Sequence, residues 1–146
     1  MIQTGKRAIK VVLLLAGAVL LAFIVGRIAL LIPERSVPFQ AEVWKHANPA
    51  SFIGSRERLS MLESLLSRMR GCKHLSDATQ LLGTPDQDSP CQEANLDQRT
   101  GCSDGSDHVA TFFVGTDYSS LESWPIVLVV VYSKEGLIKH FTATAG

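Results

Sequence analysis

The chain has 146 residues, with 14 basic and 14 acidic side chains and no net charge when histidine is neutral. Four of the basic residues (Lys6, Arg7, Lys10 and Arg27) precede Pro33, so residues 33–146 carry ten against fourteen acids. That acidic excess argues against DNA or RNA as a partner, because phosphate recognition needs a net basic face.

Residues 11–26, VVLLLAGAVLLAFIVG, are apolar without a break, and IALLI continues the run after Arg27 as far as Pro33. As a helix, 11–32 would reach about 33 Å, enough for a hydrocarbon core of about 30 Å. The basic flank at 1–10 would hold its own end in the cytoplasm. The stretch therefore predicts a transmembrane anchor, with the rest of the chain outside. A cleaved signal shares the basic start, but GRIALLIPERS puts Arg or large aliphatics where a cut site wants small residues. What remains, about 110 residues, suffices for one small domain with one core.

Residues 33–38, PERSVP, form a short stiff linker with a proline at each end. The lead-in up to residue 54 predicts one helical turn around Trp44; Phe39, Trp44 and Phe52 read as core in preference to the alternative that they lie where the domain meets the membrane surface. Residues 55–70 predict a helix: Ser55 caps it, and Leu59, Leu62, Leu65, Leu66 and Met69 recur at three- and four-residue steps. Gly71 closes it. In SDATQLLGTPD (76–86), Ser76 caps a second helix, Asp77 sits in its first turn, Gly83 stops it and Pro85 forbids its return. The short connection predicts an antiparallel pair. Residues 86–108 hold almost no core formers and read as a long polar loop. Strands follow at 108–115, 124–132 and 137–145, the last two joined by the turn SKEG.

Three cysteines allow one bridge within the chain. Cys91–Cys102 would close a small loop and stabilise by about 2–3 kcal/mol; Cys72–Cys91 would tie the loop to the helix junction. The first pairing is preferred. A zinc site drawn from Cys72, His74, Cys91, Cys102 and His108 has no C-x-x-C pair. Asp97, Asp104, Gly105 and Asp107 lack the closing Glu of a calcium loop. Ser119, Ser120 and Ser123 have no nucleophile motif, His46 and His140 read as structural, and no Gly-rich phosphate loop follows a strand. The residues predict no enzyme and no cofactor. Arg56, Arg58, Arg68 and Arg70 form a basic stripe, whereas 77–122 holds nine acids against Arg99. Arg56, Arg68, Arg70, Asp104 and Asp107 are therefore the candidate partner contacts, set against the plainer reading of two solvated faces.

From Trp44 through Arg58, Met61 and Leu65 to LLGTPD, FFVG and VLVVVYSKEGLI, the order over residues 44–140 resembles the SmpA/OmlA small outer-membrane assembly lipoproteins. In shape it is also similar to the β-lactamase inhibitor protein repeats. Leu82, Gly83 and Pro85 match the Leu-Gly-x-Pro that ends the second helix in that family. Phe112 or Phe113 with Gly115 matches its Tyr-x-x-Gly-like strand, and Lys134, Glu135 and Gly136 match its hairpin turn. The resemblance implies two helices followed by a small antiparallel sheet, a bacterial cell envelope, and binding rather than catalysis.

The expectation is thus an α+β chain. A cytoplasmic flank (1–10) leads to a transmembrane helix (11–32), then a linker and lead-in (33–54). An extracytoplasmic domain (55–146) has two packed helices and an antiparallel sheet of about three to four strands. The expected location is the bacterial inner membrane, single pass, with the domain in the periplasm. Expected partners are the bilayer through residues 11–32 and another envelope protein, not nucleic acid. The expected work is envelope assembly or maintenance through protein contacts, using the sheet's exposed face or edge and the 86–108 loop. The alternative is a periplasmic inhibitor or immunity protein whose acidic loop mimics an acidic ligand.

Overall fold

A computed structural model describes residues 15–26, 36–103, 105–118 and 122–145. The chain divides into two units, Met1–Glu34 and Arg35–Gly146.

In the first unit residues 15–26 form helix α1, with Leu15, Val19 and Phe23 exposed. No helix among the described residues is long and apolar enough to cross a membrane. The transmembrane anchor at 11–32 is corrected on that ground, and so are the single-pass inner-membrane placement and the periplasmic domain that rested on it. Residues 11–14 and 27–32 of that stretch lie outside the described residues.

In the second unit the lead-in runs extended along a helix. The N–H of Val37 donates to the Ser60 carbonyl at 2.9 Å, and the N–H of Phe39 donates to the Ser64 hydroxyl at 3.0 Å. Helix α2 (Ala41–His46) is the predicted turn, and its Trp44 is buried beside Phe39 with ring centroids 5.8 Å apart. Helix α3 (Phe52–Met69) starts earlier than predicted. Its cap is Ser51, whose hydroxyl accepts the Gly54 N–H at 3.0 Å. Met61, Leu65 and Met69, four residues apart, bury one face. Helix α4 (Leu75–Leu82) is capped by His74 rather than Ser76. The Asp77 carboxylate reaches back to accept the N–H groups of Lys73 and His74, both at 3.0 Å. Gly83 ends the helix as predicted, with its N–H returned to the Thr79 carbonyl at 2.8 Å. Most of the contacts of α3 are to the sheet rather than to α4, and α2 touches both helices.

The sheet is an antiparallel meander in the order β1-β2-β3-β4. Its strands are β1 (Gln87–Pro90), β2 (His108–Asp117), β3 (Trp124–Tyr132) and β4 (Ile138–Ala145). Alternation along the strands divides the side chains between two faces. Ala110, Phe112, Leu128 and Val130 meet Trp44, Met61, Leu65, Met69, Ala78 and Leu82 in the main core. Val109, Val129 and Val131 point the other way. They are buried against Cys91 and Ala94, with Cys102 partly buried beside them.

The 86–108 segment is therefore not a displayed loop. It begins as the edge strand β1 and then crosses the second face of the sheet as a strap. The Cys91–Cys102 disulfide sits in that second core, with Cys91 only 4 % exposed. A short 3-10 turn, Leu96–Arg99, lies within the strap. The Arg99 guanidinium folds it by donating to the carbonyls of Ala94, at 2.7 Å, and Gln92.

Candidate interaction surface

One end of the domain is fixed by a small set of polar contacts. Ser55 is buried within α3; its hydroxyl donates to the Pro49 carbonyl at 2.6 Å and accepts the Thr116 N–H at 3.1 Å. Gly115 on β2 lies against it so closely that a Cβ there would come within 2.8 Å of the Ser55 Cα. This stitch fixes the first turn of α3 to the end of β2.

Arg58, one turn further on, adds a second tie. Its Nε donates to the Trp44 carbonyl at 3.0 Å and its Nη1 to the Phe113 carbonyl at 2.8 Å, while the guanidinium lies 4.8 Å from the centre of the Trp44 ring. Burial lowers the Arg58 pKa from its ordinary value, and Asp86 opposes that shift. Asp86 is held in turn, accepting the Phe113 N–H at 2.6 Å.

These ties leave an apolar group in the open. Phe52 and Ile53 begin α3, Tyr118 follows β2, and Trp124 opens β3 opposite Asp117. The Phe52 and Tyr118 rings sit 5.3 Å apart at 54°, and the Arg56 guanidinium covers Phe52 at 5.6 Å. Phe52 is 42 %, Ile53 71 % and Trp124 48 % exposed. Phe39 and Trp44 are core as predicted, whereas Phe52 is not.

The predicted contact residues do not share one surface. Arg56 belongs to this end. Arg68, twelve residues on, lies about 18 Å away along the helix and covers the Phe39 ring at 5.7 Å. Arg70 is the exposed residue that ends α3. Asp107 is fully buried. Its carboxylate accepts the Ser103 N–H at 2.9 Å and hydroxyl at 3.0 Å, and pairs with the Lys139 ammonium at 2.5 Å. Asp107 thus anchors the end of the strap to β4 and offers no face to a partner. Asp104 lies outside the described residues.

At the opposite end of the sheet, Cys72, Lys73, Ser133, Glu135 and Lys139 line an open depression of about 720 Å³. Burial and the nearby Asp77 raise the pKa of the unpaired Cys72 thiol, which keeps it protonated and a poor nucleophile. The Ser133 hydroxyl donates to Glu135 at 2.7 Å and helps to lower the pKa of that carboxyl. The zinc alternative loses two of its sulfur ligands to the disulfide. No group of three or more His, Cys, Asp or Glu among the described residues is placed to hold a metal.

Sequence reasoning missed Ile53, Tyr118 and Trp124. The available signal was a large apolar residue at the outer end of each element, beyond the reach of the predicted core. Neither a family model, nor a curated protein, nor a solved structure matches the chain.

Proposed function

We propose that the Arg35–Gly146 unit is a non-enzymatic binding module that docks another protein on the end formed by Phe52, Ile53, Tyr118 and Trp124. The observation that carries this reading is the gathering of three of the unit's exposed large apolar side chains (Phe52, Ile53 and Trp124) at one end, beside Tyr118 and Arg56. Trp, Tyr and Arg are the residues that concentrate energy at protein interfaces. The ties at Ser55 and Arg58 hold the group in place before binding, which lowers the ordering cost of association. The polar clusters elsewhere are engaged in holding segments together: Asp107 holds the strap, and Tyr132 holds β1 through its 2.6 Å bond to Asp88.

A photoreactive benzophenone amino acid at position 53, in the full chain and in the cells that make it, tests the proposal. The expected result is one discrete protein adduct that is absent when the probe sits at the exposed Glu63 and lost on Trp124→Ala. Equal labelling from both positions, or none from position 53, would refute it. An envelope-assembly protein in the adduct would support the kinship suggested by Leu82-Gly83-Thr84-Pro85. A toxin or hydrolase would support the inhibitor alternative.

A further inference from the structure

Strand β4 has one hydrogen-bonded neighbour, β3. On its other side the start of the strand is covered. Ile138 donates its N–H to the Lys73 carbonyl at 2.8 Å, and His74 bridges Leu137. From His140 onward no described strand or bridge pairs with that side. An open edge is a template for another strand, and proteins guard such edges with charge, proline, bulges or brevity. The opposite edge, β1, is guarded by its four-residue length and by Pro90. β4 has Lys139 and a register shift near its start, where Val131 pairs with His140 and Tyr132 with Ile138. Beyond these, His140-Phe-Thr-Ala-Thr-Ala145 carries no acid, lysine, arginine, proline or register shift, and none of its residues is fully buried.

The same segment is complementary to itself. In an antiparallel pair of two β4 strands centred on Thr142, the residues opposite one another are Thr142 and Thr142, Phe141 and Ala143, His140 and Thr144, and Lys139 and Ala145. Phe141 lies opposite small Ala143, on the face that Val130 shares with the main core. The two threonines meet at the centre, a favourable cross-strand pair. No like charges face each other, because each Lys139 falls opposite Ala145.

We infer that β4 is an association edge whose occupant is a second copy of this chain. The two copies join by antiparallel β4–β4 pairing about Thr142 into one continuous eight-stranded sheet with two-fold symmetry. The pairing uses β4 residues Lys139–Ala145, none of them in the aromatic group, and the inference does not rest on the docking proposal.

The test is sedimentation of the full chain across the micromolar range. The expected result is a reversible dimer. Thr142→Lys places two ammonium groups face to face and should weaken the dimer by about tenfold or more, with the far-UV circular dichroism unchanged. Thr142→Glu should do the same, and mixing the two variants should restore a heterodimer. That rescue separates pairing at position 142 from damage to the fold and from association through α1. A monomer at every concentration, a dimer indifferent to Thr142→Lys, or weakening without rescue in the mixture would each overturn the inference.

Discussion

Replacing Cys91 and Cys102 together by alanine tests whether the strap is held by the disulfide or merely decorated by it. The two residues are 11 apart in sequence. Closing a loop of that length in the unfolded chain removes entropy equivalent to about 3 kcal/mol. The bridge also lies in the second core, against Val109, Val129 and Val131, so the native state loses contacts on the same face. For a domain of this size, a loss of about 3 kcal/mol lowers the melting temperature by about 10–15 °C. The assay is thermal and urea unfolding of the full chain, with methyl resonances recorded in the folded state. The Val109, Val129 and Val131 methyls should shift, while those of Leu65 and Leu128 in the main core stay in place. Reduced wild-type protein should behave like the double variant. A variant as stable as the wild type, or equal shifts in both cores, would refute the reasoning.

Arg58→Met leaves the Trp44 and Phe113 carbonyls without their donor and should cost about 2 kcal/mol in urea unfolding; Arg58→Lys should recover less than half, because an ammonium lacks the fork that spans both carbonyls. Gly101→Ala forces a side chain onto a residue at φ 97° and brings its Cβ within 2.6 Å of the His140 Cβ. It should cost about 2 kcal/mol or more and move the His140 ring resonances. Gly136→Ala, at φ 81° with open space around it, should carry only the backbone cost of about 1–2 kcal/mol. Burial and the bond to Asp88 raise the Tyr132 pKa, so its phenol stays protonated above the usual tyrosine range. The folded state then binds the proton more tightly than the unfolded chain. The corresponding stability is present below about pH 10 and is lost as pH rises through the folded pKa of Tyr132. Tyr132→Phe should remove the late phase of phenolate absorbance and flatten the alkaline loss of stability.

The hairpin was legible because WPIVLVVVY is a dense run of β-formers and Gly136 marks its turn. β1 was not legible: QDSP contains no β-former and is a strand only because β2 offers it an edge. The start of α3 was misplaced because two serines compete for the cap. Ser55 spends its hydroxyl on Pro49 and Thr116, contacts that exist only in the folded chain. The inward turn of Arg58 could have been found, since it sits three and seven residues before Met61 and Leu65, on the buried face. The second core was invisible because its strap side consists of Cys91, Ala94 and Cys102, small residues too sparse to show a period. Trp124 opens the run of β-formers, and the strand prediction assigns it to neither face. It lies at the outer end of β3, where it stays half exposed. The anchor was read from apolar composition over 11–32; no helix among the described residues is long and apolar enough to cross a membrane, and part of that stretch lies outside them.

The most direct test of the binding surface is hydroxyl-radical footprinting of the full chain, purified and inside the cells that make it. The account predicts that Phe52, Tyr118 and Trp124 are oxidised readily in the purified protein and protected in cells, while an exposed residue at the opposite end, Leu137, reacts alike in both. Equal oxidation of Phe52, Tyr118 and Trp124 in the two settings would contradict it.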